Sequence, residues 1–337
     1  MGLERYGGNA IKILFINSLS SDYVQDLTYS GLVKILGVKS VIDFPWNKKF
    51  HIPYKKYPKN LGFTPATLFI SLLQRSINNA DVVIVAAAKV DSLEAYLEII
   101  DRIPLTVPVV FIDGGDQSDI GGDLRSYKRY ELFEETMRKR PFDIVFKREY
   151  SLDKTYEDNV YPLPISFNLD RVPTIPAGYK YDVSFWAVET HEIRTRALKL
   201  LENMYDCKEN GTECNQKFSK YKRKGSFYLQ ELAQCKVVLN FRGGGWDTMR
   251  YWEVPAVGSF MITEKPGILI PDDFVNGRDV VYCDETLDDL TDLCDYYLKH
   301  DDERERIAAS GKNHLMEFHT DVARARFLLS KLNLAGF

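Results

Sequence analysis

The chain is poor in the features that would assign its class at a glance. It has only five cysteines in 337 residues, an odd number and widely spaced. That excludes a small disulfide-built scaffold and points to a reducing, cytoplasmic compartment. Cys207 and Cys214 stand close enough, in CKENGTEC, to bridge or to bind a metal, but no second Cys or His pair nearby completes a zinc set. No stretch approaches the roughly 20 apolar residues of a membrane-spanning helix. The opening MGLERYGGNA lacks the apolar core of a signal peptide, and its sixth residue, Tyr6, is not the Ser or Thr of a myristoylation site. Neither sign of charge dominates: 44 basic against 48 acidic residues leave a net −4, which excludes a general nucleic-acid-type field.

What is present is length for two cores and a repeated strand–helix alternation. The most informative stretch is KVVLNFRGGGWDTMRYWEVPAVGSFMITE, from Lys236 to Glu264. Val237 to Leu239 read as a buried parallel strand. Gly243, Gly244 and Gly245 then let backbone approach a ligand closely. Asp247 is the expected N-cap of a helix that ends at Gly258, and Ser259 to Thr263 reads as the next strand. Loop amides and a helix N-terminus together suit phosphate. Arg250 and Glu253 lie one turn apart and share a face, which suits a ligand carrying both phosphate and a ribose diol. The same pair also suits a surface ion pair worth about 0.3 kcal/mol. Arg242, at the strand end beside the glycines, is placed to neutralise a diphosphate with a forked guanidinium.

Before this stretch the expected elements are a strand at 11–17, a helix at 23–36 and a strand at 38–44. Residues 45–62 form a basic, aromatic loop containing His51. A helix follows at 65–78, a strand at 80–88, a helix at 92–102 and a strand ending at Asp113. The turn Asp113-Gly-Gly-Asp116 offers two carboxylates for general-base chemistry on an acceptor hydroxyl, or is simply an Asp-rich turn. Asp22 is a weaker candidate of the same kind. Residues 161–178 hold four prolines and read as the interdomain linker. Helices are expected at 191–204, 226–234, 287–299, 302–309 and 320–332, and a strand at 279–283. Two basic segments, Lys48 to Lys59 and Lys217 to Lys224, interleave cations with aromatics, as phosphate-binding or merely solvated loops do.

The string YLQELAQCKVVLNFRGGGWDTMRYWEVPAVGSFMITE, with the later GRDVVYCD, YYLKHDDERERIAASGKNH and HTDVARAR, resembles the CgeB-like, spore-maturation-type glycosyltransferases across roughly residues 225–326. The resemblance implies a GT-B fold: two Rossmann-like domains with parallel sheets facing an interdomain cleft. Residues 1–168 would bind the acceptor and 169–319 the donor, with a helix within 320–337 packing back on the first domain. It implies a metal-independent, retaining hexosyltransferase with no cofactor, using a nucleoside-diphosphate sugar, UDP ahead of GDP. The acceptor would be a glycan, a protein or a small molecule, with nucleic acid less favoured. Glu253 matches the carboxylate that binds the donor ribose. The upstream member of the family's Glu pair falls at Gly245, leaving Asp247 as the nearest acid. Arg194 matches a phosphate-contacting basic residue, with Arg196 its competitor. Ser226 and Tyr228 would line the base pocket, and His319, Thr320 and Arg324 match a structural tail motif. A non-catalytic binding protein and a sugar-nucleotide epimerase or hydrolase are the alternatives.

Overall fold

The computed structural model describes residues 11–53, 55–65, 79–216 and 223–332. The chain forms two compact units, Met1–Asn168 with Asp321–Phe337, and Leu169–Thr320. Most of the expected helix at 65–78, and Lys217 to Lys222 of the second basic segment, lie outside the described residues.

The first unit runs β1 (Ile13–Ile16), α1 (Tyr23–Leu36), β2 (Val41–Phe44), α2 (Lys48–His51), β3 (Val82–Val85), α3 (Val90–Ile99), β4 (Val109–Asp113), α4 (Gly122–Ser126), α5 (Tyr130–Lys139), β5 (Ile144–Lys147) and β6 (Val160–Pro162). All pairings are parallel, in the order β2-β1-β3-β4-β5-β6. The strands are short and apolar on both faces because helices cover both, as Ile13 to Ile16 and Val82 to Val85 show by their complete burial. Asp22 starts α1 by accepting the Gln25 N–H, so this carboxylate is a helix cap.

Two expectations are corrected here. The basic segment is not a plain loop: Asn47 caps the short α2, which turns the Lys49 and His51 side chains inward. Lys49 Nζ lies 2.9 Å from Asp26 Oδ1, and His51 Nε2 lies 3.0 Å from Asp43 Oδ1, all four residues being buried. Burial pushes the Asp26 carboxyl up to about 6, against the pull of Lys49. His51, stacked on Trp46, has no exposed face for a substrate. The proline-rich 161–178 stretch is not linker from its start, because Val160–Pro162 completes the first sheet.

The second unit runs β7 (Tyr181–Ser184), α6 (Glu192–Leu200), α7 (Cys207–Asn210), α8 (Ser226–Ala233), β8 (Cys235–Asn240), α9 (Met249–Val257), β9 (Met261–Glu264), β10 (Val281–Cys283), α10 (Leu290–Lys299) and α11 (Asp301–Phe318). Its sheet is parallel, in the order β10-β9-β8-β7. Val183, Val237, Leu239, Ile262 and Val281 meet Ile193, Leu290 and Ile307 in one core. The helix expected to stop at 309 continues to Phe318, because Gly311 allows its backbone to close on the Asp279 carbonyl. Cys207 and Cys214 are free thiols, so no bridge joins them. Burial holds Cys207, Cys235 and Cys283 up at about 12.

The last helix, α12 (Asp321–Lys331), belongs to the first unit, where it packs on α1. Asp321 accepts the Ser30 hydroxyl at 2.7 Å and pairs with Lys34 at 2.8 Å, and its N–H donates to the Phe167 carbonyl. Contact at this distance requires Gly31: a Cβ there would fall on the Asp321 carbonyl and 2.8 Å from the Ala325 Cβ. Gly31→Ala therefore costs stability despite its better helix propensity, by about 1–3 kcal/mol of overpacking. Urea denaturation should show a lower midpoint for Gly31→Ala than for wild type. An unchanged or higher midpoint would mean that α12 does not press on α1 as described.

Candidate functional site

The carboxyl end of β8 is where the second unit concentrates its polar chemistry. The strand ends at Asn240, the chain continues through Phe241 and Arg242, and Gly243 to Gly245 turn it, the Gly243 N–H donating to the Gly245 carbonyl at 2.9 Å. Thr248, not Asp247, is the N-cap of α9 by backbone geometry. Its hydroxyl donates to Asn240 Oδ1, at 2.8 Å, so it makes no side-chain cap. Asp247 instead accepts the Trp252 indole N–H at 2.7 Å and is buried. The first amides of α9 carry the partial positive charge of a helix N-terminus. Gly258, at φ +82°, ends the helix in the left-handed conformation.

Arg194, in the first turn of α6, does not extend into solvent. Its Nε donates to the Arg242 carbonyl at 2.8 Å, its Nη2 to the Phe241 carbonyl at 2.9 Å and its Nη1 to the Val188 carbonyl at 3.0 Å. The guanidinium occupies the space beside Gly243, where a Cβ would sit 3.0 Å from Nη2. This explains one of the three glycines by close approach, and gives Arg194 a loop-building role. His191 caps α6, its Nδ1 accepting the Ile193 N–H at 3.2 Å. Burial, then Arg242, holds the His191 imidazole below its ordinary value, so it is neutral at pH 7.

Arg242 is presented differently. Its guanidinium lies 3.6 Å from the centre of the Trp246 ring, and its Nε 2.9 Å from Glu264 Oε2 at the end of β9. Its side chain stays 24% exposed over a carboxylate that is only 2% exposed. Burial raises the Glu264 carboxyl above its ordinary value, opposed by Arg242 and Arg194. Sequence reading missed Glu264 and Trp246. Their place follows from the sheet: Asn240 and Thr263 are in register, so the carboxyl ends of β8 and β9 stand side by side, which no local sequence pattern shows.

Arg250 and Glu253 do share a face of α9, and a tyrosine links them. The Tyr228 hydroxyl, from α8, lies 3.0 Å from Glu253 Oε2 and 3.4 Å from Arg250 Nε. Arg250 also donates to the Trp186 carbonyl, and its guanidinium lies over Phe185. Glu253 is buried, so the pair is no surface ion pair. His319 is buried in the same unit against Trp252 and Phe274, and Thr320 is also buried, while Arg324 is buried on α12 of the first unit.

The two first-unit carboxylates separate. Asp113 is fully buried; it accepts the Gly115 and Gly121 N–H groups at 3.1 and 2.7 Å and lies 3.2 Å from Lys147 Nζ. It shapes the loop and presents nothing to an acceptor, contrary to the expectation that both acids point outward. Asp116 is half-exposed and ion-paired with Arg148. Among the described residues no group of three or more His, Cys, Asp or Glu could hold a metal, and no helix is long and apolar enough to cross a membrane.

Comparison with solved structures identifies the fold. HepE from Anabaena, solved with UDP-glucose, superposes with a TM-score of 0.57 at 10% identity, over 96% of this chain and 99% of that one. An alpha-glucosyltransferase solved with UDP and a 13-mer DNA gives 0.59 at 13% identity, over 96% and 98%. A glycosyltransferase from Rickettsia africae gives 0.53 at 12% identity, over 97% and 100%. The fold is GT-B. Residues 196–330 match the model of a family described as glycosyl transferase-like, so the glycine turn, Arg242, Arg250 and Glu253 all lie in a glycosyl transferase-like region. A search of curated proteins returns no match. The GT-B fold expected from the sequence is borne out.

The Tyr228 bridge is testable without any ligand. Tyr228→Phe removes one hydrogen bond to a buried carboxylate and one contact to Arg250, which costs about 1–3 kcal/mol. Chemical denaturation should give a lower unfolding free energy for Tyr228→Phe. Equal stability of the two proteins would remove the bridge from the account of why Arg250 and Glu253 are held in place.

Proposed function

We propose that the protein is a glycosyltransferase of the CgeB-like kind that moves a hexose from a UDP-sugar to an acceptor hydroxyl. The observation that carries the reading is the end of β8: a partly exposed Arg242 and a glycine turn stand directly before the N-terminus of α9. That combination suits a diphosphate, and Glu253 on the same helix suits the ribose hydroxyls. The UDP and UDP-glucose complexes of two proteins sharing the fold add support for uridine.

In this reading 169–319 is the donor domain and 1–168 the acceptor domain, with a helix within 320–337 completing the latter. The bond between the anomeric carbon and the β-phosphate oxygen breaks, and the acceptor oxygen bonds to that carbon. The acceptor proton passes to a carboxylate, and UDP departs with the electron pair. Arg242 and the α9 dipole stabilise the departing diphosphate without a metal. Arg194 serves through the loop it builds, and Tyr228 through Glu253 and Arg250. Asp116 is favoured over the enclosed Asp113 as the general base. Retention is carried by the family resemblance alone. A glycan, protein or small-molecule acceptor is favoured over nucleic acid by the net charge of −4. A cytoplasmic setting is supported by the sparse, odd cysteine count. A second reading, a sugar-nucleotide-binding protein without turnover, is favoured by one observation: Gly245 stands where the family has a carboxylate.

Calorimetric titration with UDP, GDP, dTDP and CDP, with and without magnesium, tests the donor site. UDP should bind, magnesium should make no difference, and Glu253→Ala should weaken binding by about tenfold or more, the loss expected for a charged hydrogen bond. No binding of any nucleotide at millimolar concentration would sink the donor assignment. Binding with no sugar released or transferred would favour the second reading.

A further inference from the structure

The donor reading assigns Arg242 to the diphosphate, and the inference that follows rests on that reading. Glu264 is the buried group that Arg242 touches. Its Oε2 lies 2.9 Å from the Arg242 Nε, and its Oε1 accepts the Arg242 backbone N–H. One carboxylate therefore fixes both the backbone and the side chain of the same arginine. The opposite face of the guanidinium lies on the Trp246 ring, and that ring is seated on Gly267, where a Cβ would come within 2.9 Å of it. A carboxylate thus holds the guanidinium at its Nε and an indole holds one face, while the side chain stays 24% exposed.

The arrangement has an electrostatic consequence. A guanidinium already paired with a carboxylate is close to neutral as seen by an arriving anion. The buried carboxylate also repels that anion, because burial limits screening. The charges facing Glu264 are Arg242 from the glycine turn, Arg194 from α6 and Glu285 beyond β10, with neutral His191 beside Arg242. An arriving diphosphate adds negative charge to this set and competes for Arg242. Both effects favour the neutral carboxylic acid.

We propose that Glu264 is a positioning residue for the donor site: it aims Arg242 across Trp246 and takes up a proton from solvent as the diphosphate binds. The proton goes to the Glu264 carboxylate, and Arg242 passes its ion pair from Glu264 to the phosphate. Burial has already lifted this carboxyl above the ordinary glutamate range, so the exchange falls closer to neutral pH than for a surface glutamate. The sign follows. Below the free-state value Glu264 is neutral with or without donor, and affinity is flat. As pH rises above that value the free protein loses the proton that the complex retains. Affinity then falls, by at most about tenfold per pH unit for one proton, until the bound-state value is passed.

The probe is UDP-glucose, whose diphosphate carries no group titrating near neutrality. Its affinity is measured calorimetrically from pH 5.5 to 8.5 in pairs of buffers of different ionisation enthalpy. Wild type should bind more weakly as pH rises and take up a fraction of a proton. Glu264→Gln keeps an oxygen for the Arg242 N–H but cannot ionise, so its profile should be flat with no uptake. A purely structural role would lower affinity by one factor at every pH and leave the wild-type slope in place; that result, or a flat wild-type profile without proton uptake, overturns the proposal while leaving the donor site standing. If Glu264→Gln does not fold, the wild-type uptake still decides. If wild type binds no UDP-glucose at all, the donor reading fails and this inference with it.

Discussion

The candidate site depends on what happens to one residue's backbone. Past the end of β8 the strand ladder no longer supplies partners for Arg242, and two side chains take over. Arg194, from α6, donates to the Arg242 carbonyl, and Glu264, from β9, accepts its N–H. A buried charge is costly unless it is paired and hydrogen-bonded, and here each does its own pairing while fixing the loop. The glycine turn can then bend without wandering, since Arg242, the residue before it, is clamped on both sides. Gly243 follows from this: the clamp leaves no room for a side chain.

The same division recurs at strand ends in both units. Where two charged residues of one type stand near a strand's carboxyl end, one is built into the loop and one is left outside. Arg194 and Asp113 are builders: each binds several backbone groups. Arg242 and Asp116 are half-exposed and each holds a single oppositely charged neighbour in an ion pair. The builders make the presentation of the others possible, because a loop without internal hydrogen bonds would not hold an exposed charge in one place. Substitution of a builder therefore alters the site through the backbone, and substitution of a presenter alters it through charge.

The strand–helix alternation was legible because both periodicities are strong. Buried runs such as VVIV and ILFI leave few alternatives, and Tyr23–Leu36 is bounded by an Asp cap and a Gly. The glycine turn, Arg242 and the shared face of Arg250 and Glu253 were legible from spacing alone. What was not legible is tertiary. No local pattern distinguishes an Asp that caps α9 from one that turns back to an indole five residues on, and Asp247 does the latter. Nor does a basic segment announce that Lys49 and His51 will meet Asp26 and Asp43, since those acids come from α1 and β2. The role of Glu264 depends on which strand neighbours β8, a matter of sheet order rather than sequence.

One consequence concerns the sugar rather than the nucleotide. The elements that suit a diphosphate and a ribose are assembled, but the loop presents no carboxylate ahead of them. Gly245 has no side chain, and Asp247, two residues on, is turned into the unit and bound to Trp252. In the proposed donor reading, recognition in this turn rests on the parts common to every nucleotide sugar, and discrimination among sugars falls to residues outside it. An acid restored at position 245 would stand beside the half-exposed Arg242 and the first amides of α9, where its charge would compete with the diphosphate for the same cation and the same helix end. If the proposed donor site is right, glycine at that position keeps both for the diphosphate, at the expense of any direct grip on the sugar.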